Sequence, residues 1–260
     1  MKKYLFSAIL SFLFLCGDLY GFEISGLQPV DPYGIFSTFS TESYSKGRGG
    51  VSTGIERIVD PDYSRLFLKG AYGITNNIEI NITVPYVIED DYHDGFEDIA
   101  LGVKHRFFNE GKYGPSFAYI LNASIPSGMD KFSRDGNIGI GFLVSKRVGP
   151  VNGHVNFFYE KPGDRDFDDE ILFLTGLDFA AAHNFDFIGE LYCKKDANSD
   201  EFKSVEGRFG YRIRTIEFLY TTLGVGFGLK DRTPASRIMF SVTFLLPYEK
   251  KEIKKIYEEE

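Results

Sequence analysis

Charged side chains recur at even spacing along this 260-residue sequence. Lys104 and Arg106 stand two apart, Glu206 and Arg208 likewise, with Arg212 four further on, and Arg65 precedes Lys69 by four. On a β-strand an even spacing puts all the charges of a group on one face. Within a confined, low-dielectric space such a face does one of two things. It sets a transverse field that sorts molecules by charge and size, or its charges pair and fill the space. Glu79, His154, Glu190 and Arg237 hold the same kind of position on their own segments. The candidate lining set is therefore Arg65, Lys69, Glu79, Lys104, Arg106, His154, Glu190, Glu206, Arg208, Arg212 and Arg237. These residues are expected to line a lumen, not to catalyse.

Covalent chemistry finds less support. Acyl transfer needs a nucleophile activated by a neighbouring base. Of the four histidines, His93 falls in a loop, His105 on an outward face, His154 on an inward face and His183 in a short turn. No H-x-S places a serine on the face of its histidine, and G-x-S-x-G, a zinc-spaced histidine pair and a phosphate-binding glycine loop are all missing from the sequence. Ser145 on a neighbouring strand remains open as a partner for His154, against the alternative of a structurally satisfied histidine. The cluster Asp164, Asp166, Asp168, Asp169 and Glu170 has the hard oxygens that a divalent cation favours, but not the spacing of a calcium loop. The expectation is no enzyme, no metal and no cofactor.

The elements that position these residues follow from period. In GITNNIEINITVPYV, residues 73 to 87, Ile78, Ile80, Ile82, Val84 and Tyr86 alternate with Glu79, Asn81, Thr83 and Pro85. That is a two-faced strand. The same alternation predicts twelve strands, near 49–59, 62–73, 76–88, 96–108, 115–126, 136–147, 150–159, 168–182, 184–194, 202–213, 217–229 and 236–246. Connections of one parity are short, such as ITNN, VGP and AHN. Those of the other parity are longer and acidic, such as EDDYHDG, SGMDKFSRDG, EKPGDRDFDD, KKDANSDE and KDRTPAS. Short turns at one end and long polar loops at the other describe an up-and-down meander through an outer membrane, and Greek-key links give no such parity. A soluble barrel with its apolar face inward would also set Arg and Glu against Ile, but strand number and loop parity favour the membrane form. Tyr72, Tyr86, Tyr159, Tyr192 and Tyr211 are placed to supply interfacial girdles, without any Trp.

The ends agree with export. Lys2 and Lys3 precede the apolar run YLFSAILSFLFLCG, and residues 1–21 read as a signal peptide cut after Gly21. Cys16 offers a lipoprotein alternative, but the bulky Leu15 precedes it. Removing Lys2, Lys3 and Asp18 takes the net charge from −8 to about −9, which speaks against nucleic acid as a partner. Cys193 then has no cysteine to pair with. Residues 22–48 are expected to be a periplasmic lead-in or a plug folded into the lumen. Residues 49–246 form the barrel, and residues 247–260 a charged periplasmic tail, solvated or in contact with an envelope partner.

Three motifs carry a family resemblance. Gly95-Phe96-Glu97-Asp98-Ile99-Ala100-Leu101-Gly102-Val103-Lys104-His105-Arg106-Phe107 resembles the G-x-G-D-x-x-L-G-x-K-Y-R-F segment of a bacterial outer-membrane family, transporters of the phenol-degradation "MetA" pathway type. Tyr72-Gly73-Ile74-Thr75-Asn76-Asn77 is similar to its Y-G-[IL]-T-D/N turn, and Ile125-Pro126-Ser127-Gly128 to its L-P-T-G strand end. Glu97, His105 and Ser127 depart from the pattern, replacing Gly, Tyr and Thr. The resemblance implies an outer-membrane barrel that passes small solutes, aromatic ones among them.

The expectation is thus an all-β chain forming a single up-and-down antiparallel transmembrane β-barrel of about twelve strands, with both termini periplasmic. Its partners are the lipid bilayer, a small-molecule solute and the barrel-assembly machinery. Its role is passive or facilitated diffusion. The alternatives are a non-conducting anchor or interaction barrel and, third, a lipid hydrolase. Asp98 begins the inward face of Lys104 and Arg106 and is expected to pair with them inside the lumen.

Overall fold

Strict alternation leaves each strand with an apolar and a polar face, and only a closed sheet satisfies all backbone groups in lipid. The computed structural model describes residues 26–60, 62–89, 94–230 and 233–246, and has no helix among them. Two short strands come first, β1 (Gly34–Ile35) and β2 (Thr38–Phe39). They are followed by β3 (Gly49–Val59), β4 (Tyr63–Gly73), β5 (Ile78–Glu89), β6 (Asp94–Phe96) and β7 (Ile99–Phe108). Next are β8 (Ser116–Ile125), β9 (Asn137–Val148), β10 (Val151–Pro162) and β11 (Glu170–Ala182). The last are β12 (Phe185–Asp196), β13 (Ser204–Ile216), β14 (Leu219–Gly228) and β15 (Ser236–Leu246). The expected signal peptide, residues 22–25, His93 and the tail 247–260 lie outside the described residues.

Each long strand pairs antiparallel with its sequence neighbour, and β3 pairs with both β4 and β15, so the sheet closes on itself. With β6 counted as the start of β7, twelve strands form one barrel. Two-residue turns join β9 to β10, β11 to β12 and β13 to β14 at one end, whereas residues 126–136, 163–169, 197–203 and 229–235 connect strands at the other. The link from β3 to β4, at the long-loop end, is short. By that asymmetry the short turns are periplasmic and the long loops extracellular.

The outer surface is apolar. Leu68, Ile80, Ile82, Leu101, Val103, Ile140, Ile238 and Phe240 are exposed, while their neighbours Lys69, Glu79, Asn81, Lys104 and Arg237 are buried inside. Such an outer face is insoluble in water and fits the hydrocarbon of a bilayer, which puts the chain in an outer membrane. Near the periplasmic end Phe107, Phe117, Tyr119 and Phe142 stack on one another, and Phe185 stacks on Tyr211. His105 faces outward, edge-on to Tyr119. Tyr192 departs from the girdle expected of it. It is buried on the inner face, because it shares the parity of Glu190 and Lys194.

Alternation fails where β5 meets the β6–β7 strand. Thr83 pairs with Ala100 and Tyr86 with Phe96, so three residues of the β6–β7 strand oppose two of β5. This bulge turns the consecutive carboxylates Glu97 and Asp98 both inward, where each is almost completely buried.

Candidate functional site: the occupied lumen

The inner wall has two chemically distinct halves. Across β12, β13, β15, β3 and β4 it carries an alternating chain of charges. The Glu190 carboxylate meets Arg208 at 2.9 Å, and Arg208 meets Glu206 at 2.9 Å. Glu206 meets Arg237 at 3.0 Å, Arg237 meets Glu56 at 2.9 Å, Glu56 lies 3.7 Å from Arg65, and Arg65 reaches Glu97 at 2.6 Å. Burying any one of these ions alone would be expensive, whereas alternation gives each an opposite neighbour. β14 runs between β13 and β15, and the contact of Glu206 with Arg237 passes over Gly226. A Cβ there would sit 2.2 Å from Glu206 Oε1, so the absence of a side chain is what lets the two meet.

The other half is built around an apolar cluster. Ala118 and Ile120 on β8, Leu143 on β9, Phe158 on β10, Leu174 on β11 and Tyr192 on β12 form one buried cluster. Arg208 stacks over Tyr192 at 4.6 Å, where the two halves join.

The lumen is filled by the amino-terminal segment. Phe39 on β2 completes the apolar cluster, with Leu27 packed against it. Polar groups of the segment bind the wall on all sides. The Ser37 and Thr38 amides and the Thr38 hydroxyl donate to Glu190 Oε2 at 2.9, 2.7 and 2.7 Å. Asn156 accepts from the Phe39 amide at 2.6 Å and donates to the Phe39 carbonyl at 2.9 Å. Glu79 accepts the Tyr44 amide at 2.8 Å, and Lys104 donates to the Ser40 and Glu42 carbonyls while pairing with Glu79 at 3.0 Å. Arg212 binds the Asp31 carboxylate at 2.9 Å, the Pro32 carbonyl at 3.2 Å and the Gly34 carbonyl. Asp31 also accepts from Thr222 at 3.0 Å. The Tyr44 phenol donates to the Asp31 carbonyl, and burial, reinforced by Glu79, raises its pKa so that it stays a donor. Inner-wall glycines make the room: a Cβ at Gly102 would meet Leu27 at 2.2 Å, and one at Gly224 would meet Phe36 at 2.4 Å.

The segment enters from the periplasmic rim, where the Gly47 amide donates to the Gly73 carbonyl and the Lys46 amide to Asn76. Its first described residue, Gly26, lies beside Glu160 and Asn137, toward the extracellular end. On the periplasmic side a polar vestibule of about 340 Å³ lies between the segment and the wall, bordered by Tyr33, Glu42, Arg147, Asp178, Asp186 and Arg214. At the extracellular mouth residues 126–136 fold over the opening. Phe132 packs with Ile58, Tyr63 and Val87, and Arg134 donates to Glu170 at 2.7 Å, which Lys194 also binds at 2.9 Å. Asp98 organises this loop. It accepts from the Gly128, Arg134 and Gly136 amides and from the Ser133 hydroxyl, at 3.0, 3.1, 3.0 and 2.7 Å. It therefore serves the loop instead of pairing with Lys104 or Arg106.

Of the eleven residues marked from sequence, Arg65, Glu190, Glu206, Arg208 and Arg237 meet in the charge chain. Glu79, Lys104, Glu190, Arg208 and Arg212 hold the amino-terminal segment. Lys69 stands 4.5 Å over the Phe67 ring and borders a cavity of about 30 Å³ shared with Asp31 and Glu56. Arg106 is half-buried at the periplasmic rim, where it donates to the Asn76 carbonyl at 3.0 Å and to Asn77 at 3.2 Å. It braces a turn. His154 and Ser145 do touch, at 2.8 Å across β9 and β10, but Ser145 also accepts the Thr41 amide, so both lie beneath the segment. Glu56, Glu97, Asn156, Arg134, Glu170 and Lys194 were not marked. For Glu56, Asn156 and Lys194 the even spacing along their own strands was a sufficient signal, and for Glu97 the bulge concealed it.

The sequence pattern of the family described as "Putative MetA-pathway of phenol degradation" matches residues 35–242. No curated protein matches the sequence. Among solved structures, an outer-membrane channel of Pseudomonas putida F1 superposes with TM-score 0.62 at 11% identity, covering 79% of this chain and 97% of its own. The KdgM porin superposes with TM-score 0.59 at 10% identity, covering 75% and 98%. The NanC porin gives 0.58 at 10% identity, again covering 75% and 98%. At these identities the likeness is one of fold, the outer-membrane β-barrel.

Proposed function

The chain belongs to the family of the MetA pathway of phenol degradation, and we propose that this barrel is a diffusion channel for small solutes whose resting lumen is closed by its own residues 26–46. The observation that carries this reading is how the segment is held. Among the described contacts it is fixed by hydrogen bonds, ion pairs and two apolar clusters, one around Phe39 and one in which Val30 and Tyr44 pack with Ala71. It adds no strand to the barrel, whose twelve-stranded closure is complete without it. Contacts of that kind can be broken without unfolding the wall. The two-sided lumen suits solutes with an apolar body and a polar edge, aromatic compounds included. Solved channels and porins of the same fold support a conducting role, and a KdgM porin is known in complex with oligogalacturonate.

A second reading has its own observation. Beyond the periplasmic vestibule, the cavities beside the segment at Asp31 and at Leu27 hold about 30 and 40 Å³, room for single waters, so the described state is a plugged barrel that would serve as an anchor. Proteoliposome swelling separates the two readings. On the channel reading, a variant lacking residues 26–46 admits arabinose at a rate well above empty liposomes, and the intact chain admits it slowly. Equal, background-level swelling for both folded proteins would favour the plugged barrel.

A further inference from the structure

Resting on the channel reading, we propose that Thr38 and Phe39 occupy the solute's own binding site on the inner wall, and that its ligand is an uncharged aromatic ring carrying hydroxyl donors. The Phe39 ring is 1% exposed and lies against Phe158, ring centroids 6.0 Å apart, within the cluster of Ile120, Leu143, Leu174 and Tyr192. Beside the ring, the Thr38 hydroxyl donates to Glu190 Oε2 at 2.7 Å and the Asn156 amide binds the Phe39 backbone. A ring flanked by hydroxyl and amide donors is thus what the wall now binds.

With the segment withdrawn, the wall would present an apolar slot edged by groups in need of partners. Glu190 Oε2 would lose three donors, leaving an acceptor-rich edge that welcomes hydroxyls and repels a carboxylate. Asn156 would lose one donor and one acceptor. A bare slot of this kind is unfavourable in water, so the segment and a fitting solute compete for it. The measured affinity of the intact chain is then the affinity of the open barrel reduced by the fraction in which Phe39 has left. The adjoining cavity of about 40 Å³, bordered by Leu27, Ser37 and Lys194, has room for water and not for a ring, so the solute can enter only as Phe39 leaves.

The sequence contains no Trp, so Phe39→Trp creates a single reporter. Titrating catechol into the refolded Phe39→Trp barrel is expected to shift the emission to the red as the indole leaves the wall, while benzoate and cyclohexane-1,2-diol leave it in place. Calorimetry of the Phe39→Ala barrel is expected to show catechol binding at least about tenfold tighter than in the intact chain. Should either variant fail to fold, hydrogen exchange on the unaltered chain reads the same event, because catechol is expected to deprotect the amides of Ser37 to Thr41. The proposal is overturned if no probe moves the emission and catechol leaves these amides unchanged, or if benzoate or the saturated diol acts as well as catechol. A segment-deleted barrel that conducts under those results leaves the channel reading standing. A deleted barrel that binds catechol and does not conduct removes the channel reading and leaves the site.

Discussion

Replacing Glu190 by Gln tests how the amino-terminal segment is held. One oxygen of this carboxylate takes the Ser37 amide, the Thr38 amide and the Thr38 hydroxyl, and the other takes Arg208. Gln keeps the shape but has one oxygen and one NH₂ group. Turned one way it presents NH₂ to three donors, and turned the other way it presents NH₂ to a guanidinium. Hydrogen bonds to a charged group contribute about 1.5–3 kcal/mol and neutral ones about 0.5–1.5, so loss of charge and of one acceptor should weaken docking by about 2–4 kcal/mol. That is a roughly 30- to 1,000-fold larger undocked fraction. The barrel strands pair through their backbones and should be much less affected. Hydrogen exchange followed by mass spectrometry reads this directly. In Glu190→Gln the amides of residues 37–42 should exchange faster by that factor, and those of β8 to β11 by less than about threefold. Unchanged exchange at Ser37 and Thr38 would refute the claim that this carboxylate anchors the segment.

Three further outcomes follow from the geometry. Gly226→Ala puts a Cβ 2.2 Å from Glu206 Oε1 and should part Glu206 from Arg237, lowering barrel stability in urea by about 1–3 kcal/mol; the folded-to-unfolded mobility shift on cold SDS gels checks it. Asp98→Ala leaves four donors of residues 128–136 without their acceptor, so trypsin should cut after the exposed Lys131 about tenfold faster or more than in the parent chain. Leu101→Arg sets a charge on the lipid face and should destabilise the barrel in vesicles by about 2–4 kcal/mol, against a small change for the inward Asn122→Ser.

The strands were legible because lipid and lumen demand opposite chemistry from successive residues. Ile80 and Glu79, or Ile238 and Arg237, announce their faces by type alone. The loop parity was legible for a similar reason, since two-residue turns and long acidic loops have different compositions. What the amino-terminal segment does was not. FSTFSTESYSKG has no apolar stripe, and its partners Glu190 and Asn156 stand more than a hundred residues away, so only the closed barrel brings them together. Glu97 defeated a period-two reading because a single inserted residue re-aims it, and the loop at 126–136 read only as a long polar loop because the carboxylate that folds it inward, Asp98, is remote in sequence. Tyr192 was assigned to a girdle by type, although its even spacing from Glu190 places it inside.

Single-channel recording in a planar bilayer tests the central claim most directly. The refolded intact chain should be closed for most of the record with brief openings, and the variant lacking residues 26–46 should show steady, uniform steps whose ion preference changes on Lys104→Glu. A deletion variant that inserts as a folded barrel and passes no current would contradict the account.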